Sequence, residues 1–408
     1  MSDPTCRACG TSLTVTVVDL GQQPLSNAYV EPGTEESEER YPLHARFCEH
    51  CFLVQVDDVV TPSEIFSDYA YFSSYSDSWV EHARRFTHEA IDRFELTPEH
   101  LVVEVASNDG YLLKHFVARG IPVLGIEPAA NVAEVARAAG VATETRFFGA
   151  DTARAVLDAH GPAELVVANN VFAHVPDLND FVAGLALLVT HDGVVSIEVP
   201  HLLRLIEGTE FDTIYHEHYS YFSLLAARWV LARHGLRVFD VEQLATHGGS
   251  LRILATPEGA ARPTVDAVDA LLAVERAAGL DRPVGFVGFA ARAAACRDGL
   301  RSYLADAAAS GRVVVAYGAA AKGNTLLNYA GIDPGQIAWV ADRNPHKQGR
   351  LLPGSHIPVV APEQIDLERP DRVLILPWNL REEITSQLDL RPWGGRFVVA
   401  VPEIEEVA

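Results

Sequence analysis

The stretch Leu101-Val102-Val103-Glu104-Val105-Ala106-Ser107-Asn108-Asp109-Gly110 decides the fold of the middle of this 408-residue chain. A short apolar run passes directly into a turn of small and polar residues, and a helical pattern follows the turn. Similar apolar runs recur at Pro122–Ile126, Glu164–Ala168 and Gly193–Val199, with helical patterns between them. This alternation predicts a mostly parallel sheet that is covered by helices.

The turn after the first strand is a candidate cofactor site, because open parallel sheets bind ligands beyond the carboxyl ends of their strands. The small residues of Ala106-x-Asn108-x-Gly110 let the backbone approach a ligand closely. Glu127 ends the next strand, where its carboxylate can accept hydrogen bonds from two ribose hydroxyls. The turn lacks the Gly-x-Gly-x-x-Gly pattern that brings a pyrophosphate to a helix N-terminus, so it favours S-adenosylmethionine (AdoMet) over NAD.

Further polar residues extend this candidate site. Glu104 lies inside the strand end, placed to face the cationic end of AdoMet, whereas Asp109 is also suited to capping the following helix. Asn169 and Asn170 follow the third strand, and His174 comes four residues after Asn170. We therefore expect all five side chains on the same rim, lining a site for cofactor and substrate.

A second alternation of strands and helices starts near residue 312. A strand over 312–317 runs into the turn Gly318–Asn324, and further strands are predicted at 337–341, 372–376 and 396–401. This pattern predicts a smaller Rossmann-like unit. A helical connector over about 265–309 joins it to the first alternation.

Four of the five cysteines form two pairs, Cys6-x-x-Cys9 and Cys48-x-x-Cys51. Two residues between partners let both thiolates of a pair reach one metal, and two such knuckles complete a tetrahedral four-sulfur site. Disulfides are disfavoured in a reducing cytoplasm. We predict a structural zinc site, with the polar, acidic stretch Glu31–Arg40 as a loop between the knuckles.

The segment Tyr215-His216-Glu217-His218-Tyr219-Ser220-Tyr221-Phe222-Ser223 places a carboxylate, two histidines and three phenols in nine residues. The histidines are only two apart, so this is not the His-Glu-x-x-His zinc helix. In an extended strand His216 and His218 would share one face, with Tyr215 and Glu217 on the other. In an irregular loop all four side chains could line one cleft.

The overall charge limits the classes of function. The chain has 32 Lys and Arg residues against 55 Asp and Glu residues, a formal net charge of −23. Such a surface repels polyanions, which argues against a nucleic-acid partner but leaves room for a local basic pocket for one phosphorylated ligand. The N-terminus has no basic or apolar signal region, and no apolar run is long enough to span a bilayer. We therefore expect a cytoplasmic protein without a membrane partner.

These motifs occur together, in this order, in one known family. Besides the cysteine pairs, the shared motifs are Leu20–Asn27, Glu104–Gly110, Asn169–His174, Tyr215–Ser223 and Gly318–Gly323. Over essentially its whole length the chain resembles the three-domain sugar C-methyltransferases, which act on dTDP-linked 4-keto-6-deoxysugars. The resemblance implies an α/β protein with a zinc-binding domain at 1–60 and an AdoMet-dependent, Rossmann-like methyltransferase domain at 61–260. A Rossmann-like nucleotide-sugar-binding domain would occupy 261–408.

The resemblance also implies roles for single residues. His218 would be the general base that removes a proton beside the keto group, with Glu217 next to it. Tyr215 and His174 would bind or protonate the keto region of the sugar. Tyr69 would be a further active-site phenol, although two neighbouring tyrosines compete for that role. A base of near-neutral pKa and donors aimed at the enolate oxygen are what this chemistry requires.

We expect the C-terminal unit to hold the nucleotide end of the substrate. Lys322, in the turn after the first strand of that unit, is suited to a pyrophosphate, and Asn324 follows it. Arg343 and Lys347 belong to a positive cluster that stands out in so acidic a chain. Each of these charges also fits an ordinary solvated surface.

Three other classes of function compete with this one. A zinc-ribbon RNA methyltransferase is the alternative, but the net charge and the lack of basic residues around the knuckles argue against it. A protein that only binds a nucleotide sugar needs no base, and an NAD-dependent enzyme would want a full glycine fingerprint. Carbon 3 and carbon 5 of the sugar are both acidified by the keto group, so the position of methylation stays open. The oligomeric state, a monomer included, stays open too.

Overall fold

The computed structural model describes residues 4–61 and 73–407. Its N-terminal strands β1 (Val15–Gln23), β2 (Tyr41–Phe47) and β3 (Val54–Gln55) pair in antiparallel fashion next to the cysteine knuckles. Alternate residues of β2, namely Leu43, Ala45 and Phe47, are buried, as expected for a strand with one face on a core. This part of the chain therefore surrounds the cysteine knuckles with antiparallel strands.

The loop between the knuckles docks on the C-terminal part of the chain. Val30 forms a β-bridge with Leu351, and the carboxylate of Glu31 lies 3.0 Å from the guanidinium of Arg350. Glu38 accepts a hydrogen bond from the backbone N–H of Gly354 at 2.6 Å. The acidic composition of this loop therefore serves contacts with a distant segment, which its local sequence did not indicate.

The middle of the chain alternates strands and helices, as predicted. Its strands are β4 (Val102–Val105), β5 (Val123–Ile126), β6 (Thr143–Glu144), β7 (Ala163–Asn169), β8 (Val189–Pro200), β9 (Ser220–Tyr221), β10 (Leu236–Leu244) and β11 (Ser250–Pro257). Its helices are α1 (Asp77–Phe94), α2 (Leu113–Val117), α3 (Ala130–Ala138), α4 (Ala150–His160), α5 (Leu178–Leu188), α6 (Leu202–Glu207) and α7 (Leu224–Ala232). Apolar residues repeat with a period of 2 residues in strands and about 3.6 residues in helices, and these periods account for the division of the chain into strands and helices.

These strands form a sheet with the order β10-β11-β8-β7-β4-β5-β6, while β9 pairs with β3 of the N-terminal sheet. All four residues of β4 are buried, because helices cover both faces of a parallel sheet. Ala83, Phe86 and Ala90 of α1 face the sheet at helical spacing. From β4 the chain moves outward to β5 and β6 and then returns to β7 on the other side. The carboxyl ends of β4 and β7 therefore flank the point where strand order reverses, which is where open sheets bind ligands.

The C-terminal unit forms a second sheet of parallel strands with an antiparallel edge. Its strands are β12 (Val314–Tyr317), β13 (Val340–Ala341), β14 (Val359–Val360), β15 (Arg372–Ile375), β16 (Arg396–Val399) and β17 (Glu405–Val407), in the order β14-β13-β12-β15-β16-β17. Its helices are α10 (Ala321–Ala330), α11 (Gln364–Glu368) and α12 (Arg381–Gln387). The expected connector is formed by α8 (Asp266–Ala277) and α9 (Phe289–Ala309).

Within residues 4–61 and 73–407, each helix is either too short or too polar to cross a lipid bilayer.

Candidate active site

The four paired cysteines lie together, with all their Sγ atoms within 4.8 Å of one another. Sγ of Cys6 is 3.4 Å from that of Cys51, and Sγ of Cys9 is 3.5 Å from that of Cys48. These separations are too long for disulfides, whose sulfurs are about 2 Å apart. They approach the roughly 3.8 Å that four sulfurs around one zinc ion require. The donor set therefore fits a closed structural zinc site.

The histidine-rich segment, Tyr215–Ser223, is an irregular turn that leads into the short strand β9. A single 3₁₀ turn, Phe211–Thr213, precedes it. The segment therefore does not form the extended strand that would place His216 and His218 on one face. It also does not turn all its side chains into one cleft: His216 and Glu217 are buried, whereas Tyr215 and His218 are partly exposed.

His218 has the hydrogen bonds of a neutral base. Its Nδ1 lies 3.2 Å from the carbonyl oxygen of Thr213, which can only accept, so Nδ1 carries the proton and donates. Its Nε2 is then the unprotonated nitrogen, and the hydroxyl of Tyr215 donates to it at 2.8 Å. Because these hydrogen bonds fix the tautomer of His218, its imidazole presents one known nitrogen, Nε2, for proton removal.

His174 lies beside His218, just beyond the carboxyl end of β7. It ends a 3₁₀ turn, Phe172–His174, that follows β7, and the two imidazole centroids are 4.7 Å apart. Nδ1 of His174 donates to the carbonyl oxygen of Glu217 at 2.7 Å. Burial lowers the pKa of His174 to about 4, against the opposing effect of that hydrogen bond. His174 is therefore neutral at neutral pH.

Glu217 and His216 point toward the N-terminal unit, away from His218. Oε1 of Glu217 accepts from the backbone N–H of Asn27 at 3.1 Å and from its side-chain amide at 3.3 Å. Burial raises the pKa of Glu217. Nε2 of His216 lies 3.3 Å from the carbonyl oxygen of Pro42, and its ring packs edge-on against Tyr41. The role predicted for Glu217 next to the base stays a prediction; its visible contacts are with Asn27.

The turn after β4 has an unusual backbone. Ala106, Asn108 and Gly110 have φ values of 56°, 50° and 77°. The left-handed region is costly for residues with a Cβ, and such conformations concentrate at ligand sites. The carboxylate of Glu127, at the end of β5, accepts from the backbone N–H groups of Asn108 and Ala129 at 3.0 and 2.9 Å. Glu127 thus holds the turn in place.

In the described part of the chain, several buried polar atoms around this turn lack a protein partner. Among the described residues, Oε2 of Glu104, Oδ1 of Asp109, Oδ1 of Asn169 and Nδ2 of Asn170 have no hydrogen-bond partner. Burial raises the pKa of Glu104 well above its ordinary value, and the carboxylates of Asp109, Glu127 and Glu198 raise it further. A cationic, polyhydroxylated ligand such as AdoMet would satisfy both the unpaired atoms and the excess negative charge. These residues therefore fit the predicted cofactor.

A buried network that the sequence did not reveal stands next to this edge. Nε2 of His82, on α1, donates to Glu198 of β8 at 2.9 Å, and Arg252 of β11 lies 2.6 Å from the same carboxylate. Burial alone would raise the pKa of Glu198, but His82 and Arg252 hold it below its ordinary value. Trp79 stacks on the His82 ring. The network fixes α1 over the carboxyl end of the sheet.

The basic residues predicted to bind the nucleotide end of the substrate separate in the structure. Lys347 reaches the turn after β12, where its Nζ donates to the carbonyl oxygen of Ala319 at 2.7 Å. Asp342 is 3.8 Å from that Nζ. Arg343 is exposed, with Gln387 as a hydrogen-bond partner at 3.3 Å. Both residues belong to the loop that follows β13, and they stay candidates for an anionic ligand.

Lys322 points the other way, toward the middle unit. Its Nζ donates to Asn379 at 2.7 Å and lies 4.4 Å from the ring centroid of Trp378. Burial lowers the pKa of Lys322, and the nearby carboxylates of Asp212 and Glu210 oppose that shift. Burial raises the pKa of Asp212 to about 6 and that of Glu210 to about 7. Lys322 thus contributes to a buried cluster just ahead of the histidine-rich segment.

Asn324 is buried, and its amide donates to the carbonyl oxygen of Ser26 at 2.6 Å. It therefore joins α10 to the N-terminal unit, while its predicted substrate contact stays a prediction. Tyr69 lies outside the described residues. The backbone carbonyl of Thr213 and the amide of Asn27 were missed by sequence reasoning. Only the quoted motif Leu20–Asn27 gave a signal for Asn27, without indicating a partner.

Three family models match this chain. Residues 6–66 match a "Putative zinc binding domain", residues 79–241 a "Methyltransferase domain" and residues 245–402 a "C-methyltransferase C-terminal domain". C-methyltransferase NovU of Streptomyces niveus is 37% identical over 400 residues, which cover 98% of this chain and 95% of that protein. The similarity therefore extends over all three matched regions.

Two solved structures of methyltransferases are similar to less than half of this chain. Magnesium protoporphyrin IX methyltransferase (ChlM) of Synechocystis PCC 6803 is 14% identical, with a TM-score of 0.36 over 44% of this chain and 83% of that one. A SAM-dependent methyltransferase of Anabaena variabilis ATCC 29413 is also 14% identical, with a TM-score of 0.35 over 43% and 85%. Similarity this low says nothing about the substrate.

The match to NovU extends over nearly the whole of both chains, and the cysteine cluster and the sheet edge fit the two groups that the matched domains would hold. The chain therefore belongs to the C-methyltransferase family, as an AdoMet-dependent methyltransferase with an N-terminal zinc-binding domain.

Proposed function

We propose that the protein methylates a ring carbon next to the keto group, carbon 3 or carbon 5, of a dTDP-linked 4-keto-6-deoxysugar. The reaction belongs to deoxysugar biosynthesis for a secondary metabolite. The similarity to a C-methyltransferase supports transfer to carbon. We assign the zinc domain to 1–60, the methyltransferase domain to 61–260 and the nucleotide-sugar domain to 261–408. The reduced thiols of the cysteine cluster suit a cytoplasmic enzyme.

The observation that carries this proposal is the hydrogen bonding of His218. Its Nδ1 proton is donated to the Thr213 carbonyl, which leaves Nε2 as a base next to the Tyr215 hydroxyl. An oxygen or nitrogen atom that accepts a methyl group already has a lone pair, so it would have less need of such a base. A carbon acceptor must first lose a proton, and an imidazole with a pKa near neutrality is suited to removing it.

His218 acts as the base in the proton-transfer step. Nε2 of His218 takes the proton from the ring carbon, so that a C–H bond breaks and an N–H bond forms. The electron pair of the broken bond moves onto the former keto oxygen, and the imidazole becomes an imidazolium. Nδ1–H keeps its bond to Thr213 throughout, which holds the ring in place.

Tyr215 stabilises the charge that develops on the oxygen, and we propose that His174 contacts the same keto region of the sugar. The hydroxyl of Tyr215 is released from Nε2 when that nitrogen takes the proton, and it can then donate to the enolate oxygen. Neutral His174 sits beside it without adding a second positive charge. One well-placed donor in an oxyanion site lowers the barrier by about 3–4 kcal/mol. Tyr69 is proposed as a further phenol of this site.

The residues at the carboxyl ends of β4, β5 and β7 would hold the cofactor. When bound, AdoMet would supply an electrophilic methyl group with a neutral thioether as its leaving group. Glu104 and Asp109 would offset the positive charge, Glu127 would bind the ribose hydroxyls, and Asn169 and Asn170 would orient the remaining polar groups. Ala106, Asn108 and Gly110 provide the turn that allows the close approach.

The C-terminal unit would hold the nucleotide end of the sugar. Lys347 and Arg343 lie in the loop after β13 and would pair with the diphosphate. We propose Lys322 and Asn324 as further substrate ligands, although their contacts in the structure are with Asn379 and Ser26.

Replacement of the base tests this function. In His218→Asn, methyl transfer from AdoMet to a panel of dTDP-4-keto-6-deoxysugars should fall by about a hundred-fold or more, because general-base catalysis contributes that much. The dissociation constant for AdoMet, measured by calorimetry, should not change.

His191→Asn is the matched control, since His191 is exposed on the middle unit. It should methylate as the wild type does. Wild-type turnover in His218→Asn would remove His218 as the base. Turnover with none of the sugars in the wild type would contradict the sugar-nucleotide assignment.

A further inference from the structure

Arg7 lies between two of the cysteines that fit the zinc site, Cys6 and Cys9, yet its side chain does not belong to the cluster. It extends from the knuckle into the middle unit, where only 8% of the side chain is exposed. A buried guanidinium needs several partners to offset its loss of water. Those partners connect the knuckle to the two segments that bear His218 and His174.

The first connection leads to the histidine-rich segment. The guanidinium of Arg7 lies 5.2 Å from the ring centroid of Tyr219, the residue after His218. Its Nη2 donates to the carbonyl oxygen of Val56 at 2.5 Å and pairs with Asp58 at 2.7 Å. The backbone N–H of Val56 in turn donates to the carbonyl oxygen of Tyr219 at 3.1 Å. Arg7 thus holds Tyr219 directly through a contact with its ring and, by way of Val56, through its backbone carbonyl.

The strand next to these contacts reinforces them. Gln55 of β3 pairs with Ser220 of β9, and its side-chain oxygen accepts the backbone N–H of Arg7 at 2.9 Å. The amide nitrogen of the same Gln55 side chain donates to Sγ of Cys6 at 3.1 Å. One side chain therefore connects a cysteine of the cluster, the knuckle backbone and the strand that follows His218.

The second connection leads to the segment after His174. Nη1 of Arg7 donates to the carbonyl oxygen of Pro176 at 3.3 Å. The side-chain amide of Asn179 donates to the carbonyl oxygens of Arg7 and Ala8, each at 3.2 Å. The knuckle thus holds residues 176–179 by both its side chain and its backbone.

We propose that Arg7 is a positioning residue for His218 and His174, so that the cysteine knuckle sets the geometry of the catalytic pair. Its contacts with Tyr219 and Pro176 fix residues one and two positions away from these histidines. The knuckle itself is fixed by Cys6 and Cys9, whose thiolates would be ligands of the zinc ion. The role assigned to the two histidines rests on the proposed function, but their placement by Arg7 does not.

The test compares Arg7→Met with Glu49→Met. Glu49 holds the equivalent first position of the second knuckle, Cys48-Glu49-His50-Cys51, and is exposed. Arg7→Met keeps the aliphatic part of the side chain and removes the forked donors. Both variants should retain one zinc per chain and wild-type affinity for AdoMet. Arg7→Met should lower kcat about ten-fold or more, because small displacements of catalytic groups have large effects on rate.

The decisive readout does not require turnover. In protein with ¹³C-labelled histidines, the ring resonances of His174 and His218 are assigned with His174→Asn and His218→Asn. They should shift and titrate differently in Arg7→Met, while those of Glu49→Met match the wild type. Arg7→Lys keeps the charge without the fork and should show a smaller change.

Unchanged histidine resonances in a zinc-loaded Arg7→Met protein would overturn the proposal. If Arg7→Met loses zinc or fails to fold, Arg7→Lys decides: wild-type resonances in that variant would then overturn it. Failure of the wild type to methylate any sugar would contradict the proposed function alone, because the resonances are measured without substrate.

Discussion

At the level of single residues, the proposed mechanism gives different roles to His174 and His218, whose imidazole centroids are 4.7 Å apart. If both could take a proton near neutral pH, the charge on one would oppose protonation of the other. Burial avoids this conflict by lowering the pKa of His174 to about 4. His174 therefore stays neutral beside the proposed base, His218.

Titration of the ring resonances tests the lowered pKa of His174. The ¹³C-histidine resonance of His174, assigned with His174→Asn, should not move between pH 8 and about pH 5, because its pKa is well below the ordinary 6.5. The sign for stability follows from linkage. Between pH 6.5 and about pH 4, His174 is protonated in the unfolded chain but neutral in the folded chain. Folding thus loses stability as pH falls toward 4, by about 1.4 kcal/mol per pH unit from this group. A midpoint for His174 near pH 6.5 would contradict this view.

At the level of elements, the turn after β4 combines a strained backbone with close packing. Gly110 has a φ of +77°, and a Cβ built on it would lie 2.9 Å from Cγ2 of Val141. Gly120, at the end of the next helix, has a φ of +73° but open space around it. Comparing substitutions of these two glycines therefore separates the effect of a positive φ on stability from the effect of crowding by Val141.

Gly110→Ala and Gly120→Ala should differ in a defined way. Gly120→Ala should lower the free energy of unfolding by about 1 kcal/mol, the cost of the left-handed conformation. Gly110→Ala should lower it by a further 1–3 kcal/mol or so, because Val141 must move. Only Gly110→Ala should weaken AdoMet binding in calorimetry. Equal AdoMet affinity in the two variants would separate this turn from the cofactor site.

At the level of the whole molecule, the three parts of the chain meet at the histidine-rich segment. Asn27 of the N-terminal unit binds Glu217, and β9 completes the N-terminal sheet. Thr325 of α10, in the C-terminal unit, is buried and donates to the carbonyl oxygen of Ile214 at 3.1 Å. The N-terminal and C-terminal units therefore both hold this segment. Loss of one such contact should affect the position of His218.

Thr325→Val tests this coupling, because valine keeps the shape and removes only the hydroxyl. Thr256→Val is the control: Thr256 is equally buried and donates to Gly193 inside the central sheet. Each variant should lose about 1–3 kcal/mol of stability, the cost of an unpaired buried carbonyl. Only Thr325→Val should also lower kcat several-fold. Equal turnover in both would show that α10 does not position the segment.

The sequence allowed much of this architecture to be predicted, since strands and helices follow local periods of apolar residues. The strands that end at residues 105, 126 and 169 were predictable from these periods. The cysteine pairs were recognisable from their spacing. Contacts between distant segments were not, because periodicity carries no information about partners. The pairing of β3 with β9, the turn of Lys322 toward Asp212 and the contact of Glu217 with Asn27 all belong to this class. The domain boundaries near 60 and 260 stay predictions.

The position of the transferred methyl group tests the central claim most directly. AdoMet with a ¹³C-labelled methyl group is incubated with the enzyme and the panel of dTDP-4-keto-6-deoxysugars, and the product is examined by carbon NMR. We predict a labelled methyl group coupled directly to a ring carbon next to the keto group, carbon 3 or carbon 5. A labelled methyl group on oxygen or nitrogen would contradict carbon methylation and the role of His218 as the base.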